Sequence, residues 1–468
     1  MRARTCRNRR AAIAAAFLCA SLAAFDARSA SLFVDDDAVC PCDGTKARPY
    51  ATISAALADL ERIAAEQVVV VHVAAGLYDA EPAWPVVLAR PKLRLLGATR
   101  LDSSSGFPSP PAGDREQTRV RPFPAAAPPG PPPPIPTAFR VVADEVTVQG
   151  FTFVGPGTSD PRFAGTAATV DIDGSKAAPA SPQGDVIEGV AIRGCFFDHG
   201  RVALRSTHAG VTVEGNFAIG HFNGMNFLAG PAGAGQLVIV RGNRVLGSQA
   251  AGIILHGQSR IANRSGEQWV EVYENDFSDN GRPLSPTLHI GTGIQVFGEN
   301  DSGLGQPIPA PNQLLPAFLA ADLHDNRFIG NRSYGITVNC RALKGAPGSP
   351  STIWFEEHDN TFCGNGNNDV IVASQFFASA MCPLIPTQLR HLRNARWDVS
   401  LAPSTGWDTV VAAGNPEIVV NGEPVNPDRD LDLDGLPIVS RVTAWPGGAD
   451  YCTVSTPTPP LPPVCSAP

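Results

Sequence analysis

Val270-Glu-Val-Tyr-Glu-Asn275-Asp-Phe277-Ser-Asp-Asn280 is the stretch from which the architecture of this 468-residue chain can be read. Val270 and Val272 alternate with polar neighbours, an Asn stands three positions after the second valine, and a Phe and another Asn return beyond it. Alternation of period two describes a strand with one buried face. The same spacing recurs in Val211-Thr-Val-Glu-Gly-Asn216, Val238-Ile-Val-Arg-Gly-Asn243 and Ala321-Asp-Leu-His-Asp-Asn326. Past the corner it continues as Asn326-Arg-Phe328-Ile-Gly-Asn331 and Asn360-Thr-Phe362-Cys-Gly-Asn365. A second alternating run then follows in Gly224-Met-Asn-Phe227, Gly252-Ile-Ile-Leu255, Gly293-Ile-Gln-Val296, Gly335-Ile-Thr-Val338 and Asp369-Val-Ile-Val372. No such unit can bury its inward face alone. Stacking successive units, with strands about 4.8 Å apart, closes a continuous core. The insertions Gly281 to His289 and Asp301 to Pro316 then project as loops from a shared scaffold.

The front of the chain carries a related series. Arg48-Pro-Tyr-Ala-Thr-Ile-Ser-Ala-Ala-Leu57 opens a helix from Thr52 to Ala65, whose Ile53, Ala56, Leu57, Leu60 and Ile63 share one face and can cap the core. Val70-Val-His-Val73, Ala75-Gly-Leu-Tyr78, Val86 to Leu88 and Leu93 to Gly97 supply a first coil. Over roughly residues 31 to 440 this succession resembles the pectin-lyase-like superfamily of right-handed parallel β-helices. The front segment is similar to an uncharacterised domain that often precedes such helices. The fold expected is therefore all-β, a right-handed parallel β-helix with a short N-terminal capping helix.

Five segments are expected. Residues 1–29 read as a signal peptide, with Arg2, Arg4, Arg7, Arg9 and Arg10 ahead of an apolar run from Ala11 to Phe25 and small residues near Ser29. Residues 30–106 form the cap and first coil, 107–137 a Pro-rich loop, 138–440 the coils, and 441–468 a Pro-rich tail. The apolar run is too short for a comfortable membrane span, which points to a secreted or periplasmic protein. The chain has a net charge of -8, and removal of a leader holding six arginines and one aspartate leaves it more acidic. Four lysines in an acidic chain exclude nucleic acid as a partner, since phosphate binding needs concentrated Lys and Arg. The cysteines beyond the leader, at 40, 42, 195, 340, 363, 382, 452 and 465, are even in number and compatible with disulfides in an exported chain.

The repeated asparagines (216, 243, 275, 326 and 360) are expected to be structural, because stacked amides can satisfy one another and the backbone at a tight bend. Chemistry is sought instead at the outward positions before that corner. Asp322-Leu-His324-Asp325-Asn326 and Glu356-Glu-His358-Asp359-Asn360, preceded by Glu271-Val-Tyr273-Glu274, would bring carboxylates and imidazoles together across adjacent coils. Such groups can divide acid and base roles or hold a divalent ion, which makes Asp322, His324, Glu356 and His358 catalytic candidates and Asp325 and Asp359 metal candidates. A bulge at Ile353-Trp-Phe-Glu-Glu would turn Glu356 away, and the plain alternative is a solvated polar face.

Asp430, Asp432 and Asp434 are further metal candidates, with calcium the ion their oxygens suit, although the twelfth position of an EF-hand loop would be Arg441 and that motif is rejected. Asp171-Ile-Asp173 reads as two solvated carboxylates on one strand face. Leu255-His256-Gly257 lacks the first Gly of the Gly-His-Gly seen in polygalacturonase-like members, and no Asp-Pro-His epimerase motif is present. Arg341 and Lys344 are the basic residues a lyase could use. Two readings follow: a non-catalytic extracellular β-helix that binds glycans or a surface, and a polysaccharide lyase or glycoside hydrolase with a divergent acidic and histidine site.

Overall fold

The computed structural model describes residues 29–39, 41–104, 106–111, 113–123, 135–157, 160, 162, 167–176, 186–233, 236–257, 266–281, 291–297, 317–339, 352–358, 360–366, 368–373, 387–392, 397–400, 410–412, 415–420 and 423–425. It is a right-handed parallel β-helix. The first sheet takes one strand from each coil in chain order: Ala30–Val34, Val69–Val73, Leu93–Leu96, Thr147–Gln149, Ile187–Arg193, Ala209–Glu214, Leu237–Arg241, Gly266–Tyr273, Ala317–His324, Thr352–His358 and Thr387–Leu392. Every successive pair along this order is parallel. Parallel neighbours joined by long crossovers take the right-handed sense, because twisted strands return to their sheet only that way.

After the corner each coil adds a short strand and then a longer one. The short ladder includes Arg244–Leu246, Asp276–Ser278, Arg327–Ile329 and Thr361–Cys363. The longer ladder includes Ala168–Asp173, Ala251–His256, Thr292–Phe297, Tyr334–Asn339 and Asn368–Ala373. Two unbroken strands, Phe196–Thr207 and Phe217–Leu228, run through both. The core lies between the three faces. Its inward valines and leucines stack coil on coil, and buried phenylalanines add Phe153 on Phe197, Phe277 on Phe328 and Phe328 on Phe362 at 4.9–5.5 Å.

The asparagine corner forms the expected ladder. Asn216, Asn243, Asn275 and Asn326 each donate Nδ2 to the Oδ1 of the next Asn at 2.9–3.0 Å, ending on Asn360. Each accepting Oδ1 also takes the backbone N–H of the preceding Asn at 2.9–3.1 Å. The residue before each Asn turns through a left-handed backbone: Gly215 and Gly242 in earlier coils, Glu274 and Asp325 in later ones. A second ladder runs from Asn280 to Asn331 to Asn365 at 2.8 and 3.0 Å. Cys195 stands at the corner one coil before Asn216 and donates its N–H to Asn216 Oδ1 at 2.9 Å. It is a free, fully buried thiol, pushed up to about 12 by burial, so it takes no part in a disulfide.

Three features of the front differ from the sequence reading. The first strand is Ala30–Val34, which pairs with Val69–Val73, so the latter is the second strand. The helix spans Ile53–Asp59 and closes in a 3-10 turn at Leu60–Arg62, with Ile63 already extended. Its start is held by Thr52, whose Oγ1 accepts from Ala55 N–H, and by Glu81, whose carboxylate accepts from Ile53 and Ser54 at 2.7 and 3.0 Å. Its end is held by Arg90, whose guanidinium donates to the carbonyls of Leu60, Ile63, Ala64 and Gln67. Ile53, Ala56 and Leu60 are buried, so the helix does cover the core. Finally, Thr118–Val120, inside the segment read as a Pro-rich loop, is a strand between Gly76–Tyr78 and Thr152–Val154. Residues 1–28, 124–134 and 426–468 lie outside the described residues.

Candidate functional site on the outer face of the first sheet

In the first sheet the inward positions are fixed by Val270, Val272, Leu319, Ala321 and Leu323, all buried, so their neighbours face outward. Three outward columns result as far as Ala317–His324, and the backbone register carries each on to Thr352–His358. Nearest the Asn corner the register runs Arg193, Glu214, Arg241, Tyr273, His324, His358. The middle column runs Thr212, Ile239, Glu271, Asp322, Glu356. The third runs Leu237, Trp269, Ala320, Trp354.

The first column is a chain of contacts. Glu214 is clasped between Arg193, at 3.2 Å, and Arg241, at 2.7 Å. Arg241 also donates to the Tyr273 hydroxyl at 3.3 Å. Tyr273 then carries the His324 ring flat against it, with centroids 5.0 Å apart and planes 3° apart. His324 Nδ1 lies 2.8 Å from Asp325 Oδ2, which fixes the ring from its other edge. On the far side, Trp269 and Phe318 meet at 5.3 Å. Trp269 Nε1 donates to Glu267 Oε1 at 3.0 Å, while Glu267 Oε2 accepts from Gly233 N–H at 2.7 Å. Both rims of the acidic middle column are thus aromatic and held in place. Tyr273, Trp269, Phe318 and His324 are partly exposed, and Leu237 is 41% exposed.

The structure brings the sequence candidates together in part. Asp322 lies in register with Glu356, and His324 with His358, so no bulge separates these two strands. The register shift falls one strand later, between Phe355 and Glu356 against Thr387–Leu392, where His391 comes opposite Glu356. In the same register Glu357 pairs with Leu323. Asp325 sits in the left-handed corner, exposed and engaged with His324. Asp359, Asp430, Asp432, Asp434, Arg341 and Lys344 lie outside the described residues. Among the described residues one carboxylate group is close enough to share an ion, Asp35, Asp36 and Asp37 at the front turn. There Asp36 already accepts from Leu77 N–H and Asp35 from Asp37 N–H.

One reading is corrected outright. Asp171 is not solvated: it is fully buried on the outer side of the longer ladder, between Arg140 Nε at 3.4 Å and Arg205 Nε at 2.8 Å. Asp173 is buried too. Asn226, Ile254, Gln295 and Thr337 continue Asp171's column and are nearly as buried, and His256 stacks on Phe297 beside it at 5.0 Å. That face is closed, whereas the first sheet's face is accessible. Trp269, Phe318 and Leu237 were missed by a search for titratable groups. Their signal was two-residue alternation extended one step upstream of Val270.

The strand pairing bears out the parallel β-helix expected from the sequence. No family model and no curated protein sequence matches the chain. Among solved structures it is similar to pectate lyase Pel9A at 12% identity, over 92% of each chain and with a TM-score of 0.38. It is also similar to XylC, solved with xylose, at 9% identity over 78% of this chain and 71% of that one, TM-score 0.33. A third is the A-module of the Azotobacter vinelandii mannuronan C-5 epimerase AlgE6, at 15% identity over 75% of this chain and 94% of that one, TM-score 0.32.

Proposed function

We propose that this is an exported glycan-binding protein that holds a carbohydrate chain along the outer face of its first sheet. The observation that carries the reading is the pair of aromatic rims, Trp269 with Phe318 and Tyr273 with His324, flanking Glu271 and Asp322. A sugar ring presents C–H groups on its faces and hydroxyls around its edge. It therefore fits a site where flat rings meet the faces and fixed polar groups meet the hydroxyls. Rings already immobilised by Glu267 and Asp325 lose little freedom on binding, which favours affinity. The leader-like first 29 residues support export. No described helix is long and apolar enough to cross a membrane.

A second reading, cleavage of a polysaccharide, is favoured by the registers of Asp322 with Glu356 and His324 with His358, since paired carboxylates on neighbouring coils can divide acid and base roles. One experiment addresses both. Mature protein is presented with polyuronate and neutral glycans, with and without calcium, while retention, reducing ends and unsaturated products are followed. Retention without product, lost in Trp269→Ala and Tyr273→Ala, is the expected result. Turnover abolished in the His324→Ala and His358→Ala double variant would replace binding by catalysis. Absence of both retention and products on every glycan would overturn both readings.

A further inference from the structure

We propose that the second bend of the coil at His221 is an acid-operated latch, closed near neutral pH and opened locally in acid while later coils stay shut. The register sets this bend apart. Ile219, Leu246, Ser278 and Ile329 are paired in series, and two residues beyond them stand His221, Ser248, Asn280 and Asn331. In the later coils this column is a hydrogen-bonded ladder: Asn280 donates both its backbone N–H and Nδ2 to Asn331 Oδ1, and Asn331 does the same to Asn365. Ser248 still reaches Asn280 Oδ1 with its N–H at 3.0 Å. There the ladder stops. The Ser248 hydroxyl and both ring nitrogens of His221 are buried with no hydrogen-bond partner among the described residues. Just past the bend, the Oδ1 atoms of Asn223 and Asn226 are buried and unpartnered in the same way. Unmet polar groups lower the cost of opening this stretch to water.

Two imidazoles close the bend over glycines of the neighbouring coil. The His221 ring lies by Gly200, and the His199 ring lies so near Gly220 that a β-carbon there would come within 2.4 Å of it. The charged groups acting on His221 are His199 and Asp198, both on the preceding coil. Thr169, which also adjoins Gly200, and Ser248 and Gln249 on the following coil are uncharged. His199 Nδ1 holds Asp198 at 2.7 Å, which raises the His199 pKa, so His199 takes its proton first and opposes a second on His221. Burial pushes the His221 pKa down to about 3. The closed bend therefore refuses a proton that the open bend accepts near the ordinary value. Each pH unit below about 6.5 favours the open form about tenfold.

Hydrogen exchange of the mature full chain, followed segment by segment at pH 7 and pH 5 and corrected for the intrinsic pH dependence of amide exchange, tests this. Protection of Phe217–Leu228, and of the Gln249 and Ala250 amides that bond to the carbonyls of His221 and Phe222, should fall about twentyfold between the two pH values. Protection of Asp276–Ser278 and Arg327–Ile329, beside the intact part of the ladder, should change less than threefold. His221→Asn, which puts the ladder's own side chain in this column and removes the titrating ring, should abolish the difference between the segments. Should that variant fail to fold, the contrast between segments in the intact protein decides. An equal loss of protection in all of these segments would overturn the latch, because the acid response would then belong to the whole fold. An undiminished response of Phe217–Leu228 in folded His221→Asn would overturn it as well.

Discussion

His324 lies flat on Tyr273 one coil away, their planes 3° apart, and the same imidazole meets Asp325 through Nδ1. A histidine clamped on two sides is a platform, and Tyr273 in turn is held by Arg241. Truncating either ring should weaken glycan binding about three- to tenfold without changing the fold, since a stacked aromatic contributes about 0.5–1.5 kcal/mol. Trp269→Ala should weaken it at least as much. Affinity electrophoresis against the bound glycan, with circular dichroism as the control, checks this. Unchanged retardation in Tyr273→Ala would count against the stacking role.

Stability should depend steeply on the asparagine ladder. Asn275 donates to Asn326 Oδ1 and to the carbonyls of Val240 and Tyr273, and it accepts from Asn243. Asn275→Ala leaves these partners buried and unmet, with an expected loss of about 3 kcal/mol in urea unfolding. A loss below about 1 kcal/mol would mean that the ladder is ornamental.

Acid should destabilise the protein through His221. Burial pushes its pKa down to about 3, so the imidazole is neutral when folded and takes up a proton once unfolded. The unfolded state then binds more protons between the ordinary value near 6.5 and 3, and stability falls as pH drops through that window, by up to about 1.4 kcal/mol per unit. His199 has the opposite sign: its hydrogen bond to Asp198 raises its pKa, so its contribution is complete in acid and is lost as pH rises through the folded value. His221→Gln should therefore flatten the decline in melting temperature below pH 6.5. An identical decline in the variant would assign the acid limb to other groups.

Cys195 should resist alkylation in the native protein and react once it is unfolded, because its thiol is wholly buried and its pKa is pushed up to about 12. Rapid native labelling at Cys195 would contradict the packing of that corner.

What the sequence revealed and hid has a physical pattern. The Asn corners and the buried Phe after them were legible because each obeys a local rule repeated coil after coil, and stacking turned the repeat into hydrogen-bonded ladders. Asp322 and His324 were also legible, since outward positions follow from inward ones. Asp171 was not, because an outward carboxylate reads as solvated until the chain is known to cover that face and to place Arg140 and Arg205 on either side. Thr118–Val120 was hidden for a different reason: three residues show no periodicity, and their strand exists only through pairing with Gly76–Tyr78 and Thr152–Val154. Trp269 and Phe318 come together from neighbouring coils whose connecting segment has no fixed length, so their contact had no sequence spacing to betray it.

Backbone hydrogen exchange with and without a saturating glycan is the most direct test of the central claim, because it locates the ligand on one of the three faces. Protection is expected along Leu237–Arg241, Gly266–Tyr273 and Ala317–His324, with little change elsewhere. Protection confined to Ala168–Asp173 and Ala251–His256 on the longer ladder would contradict the account and move the site to the face that holds Asp171.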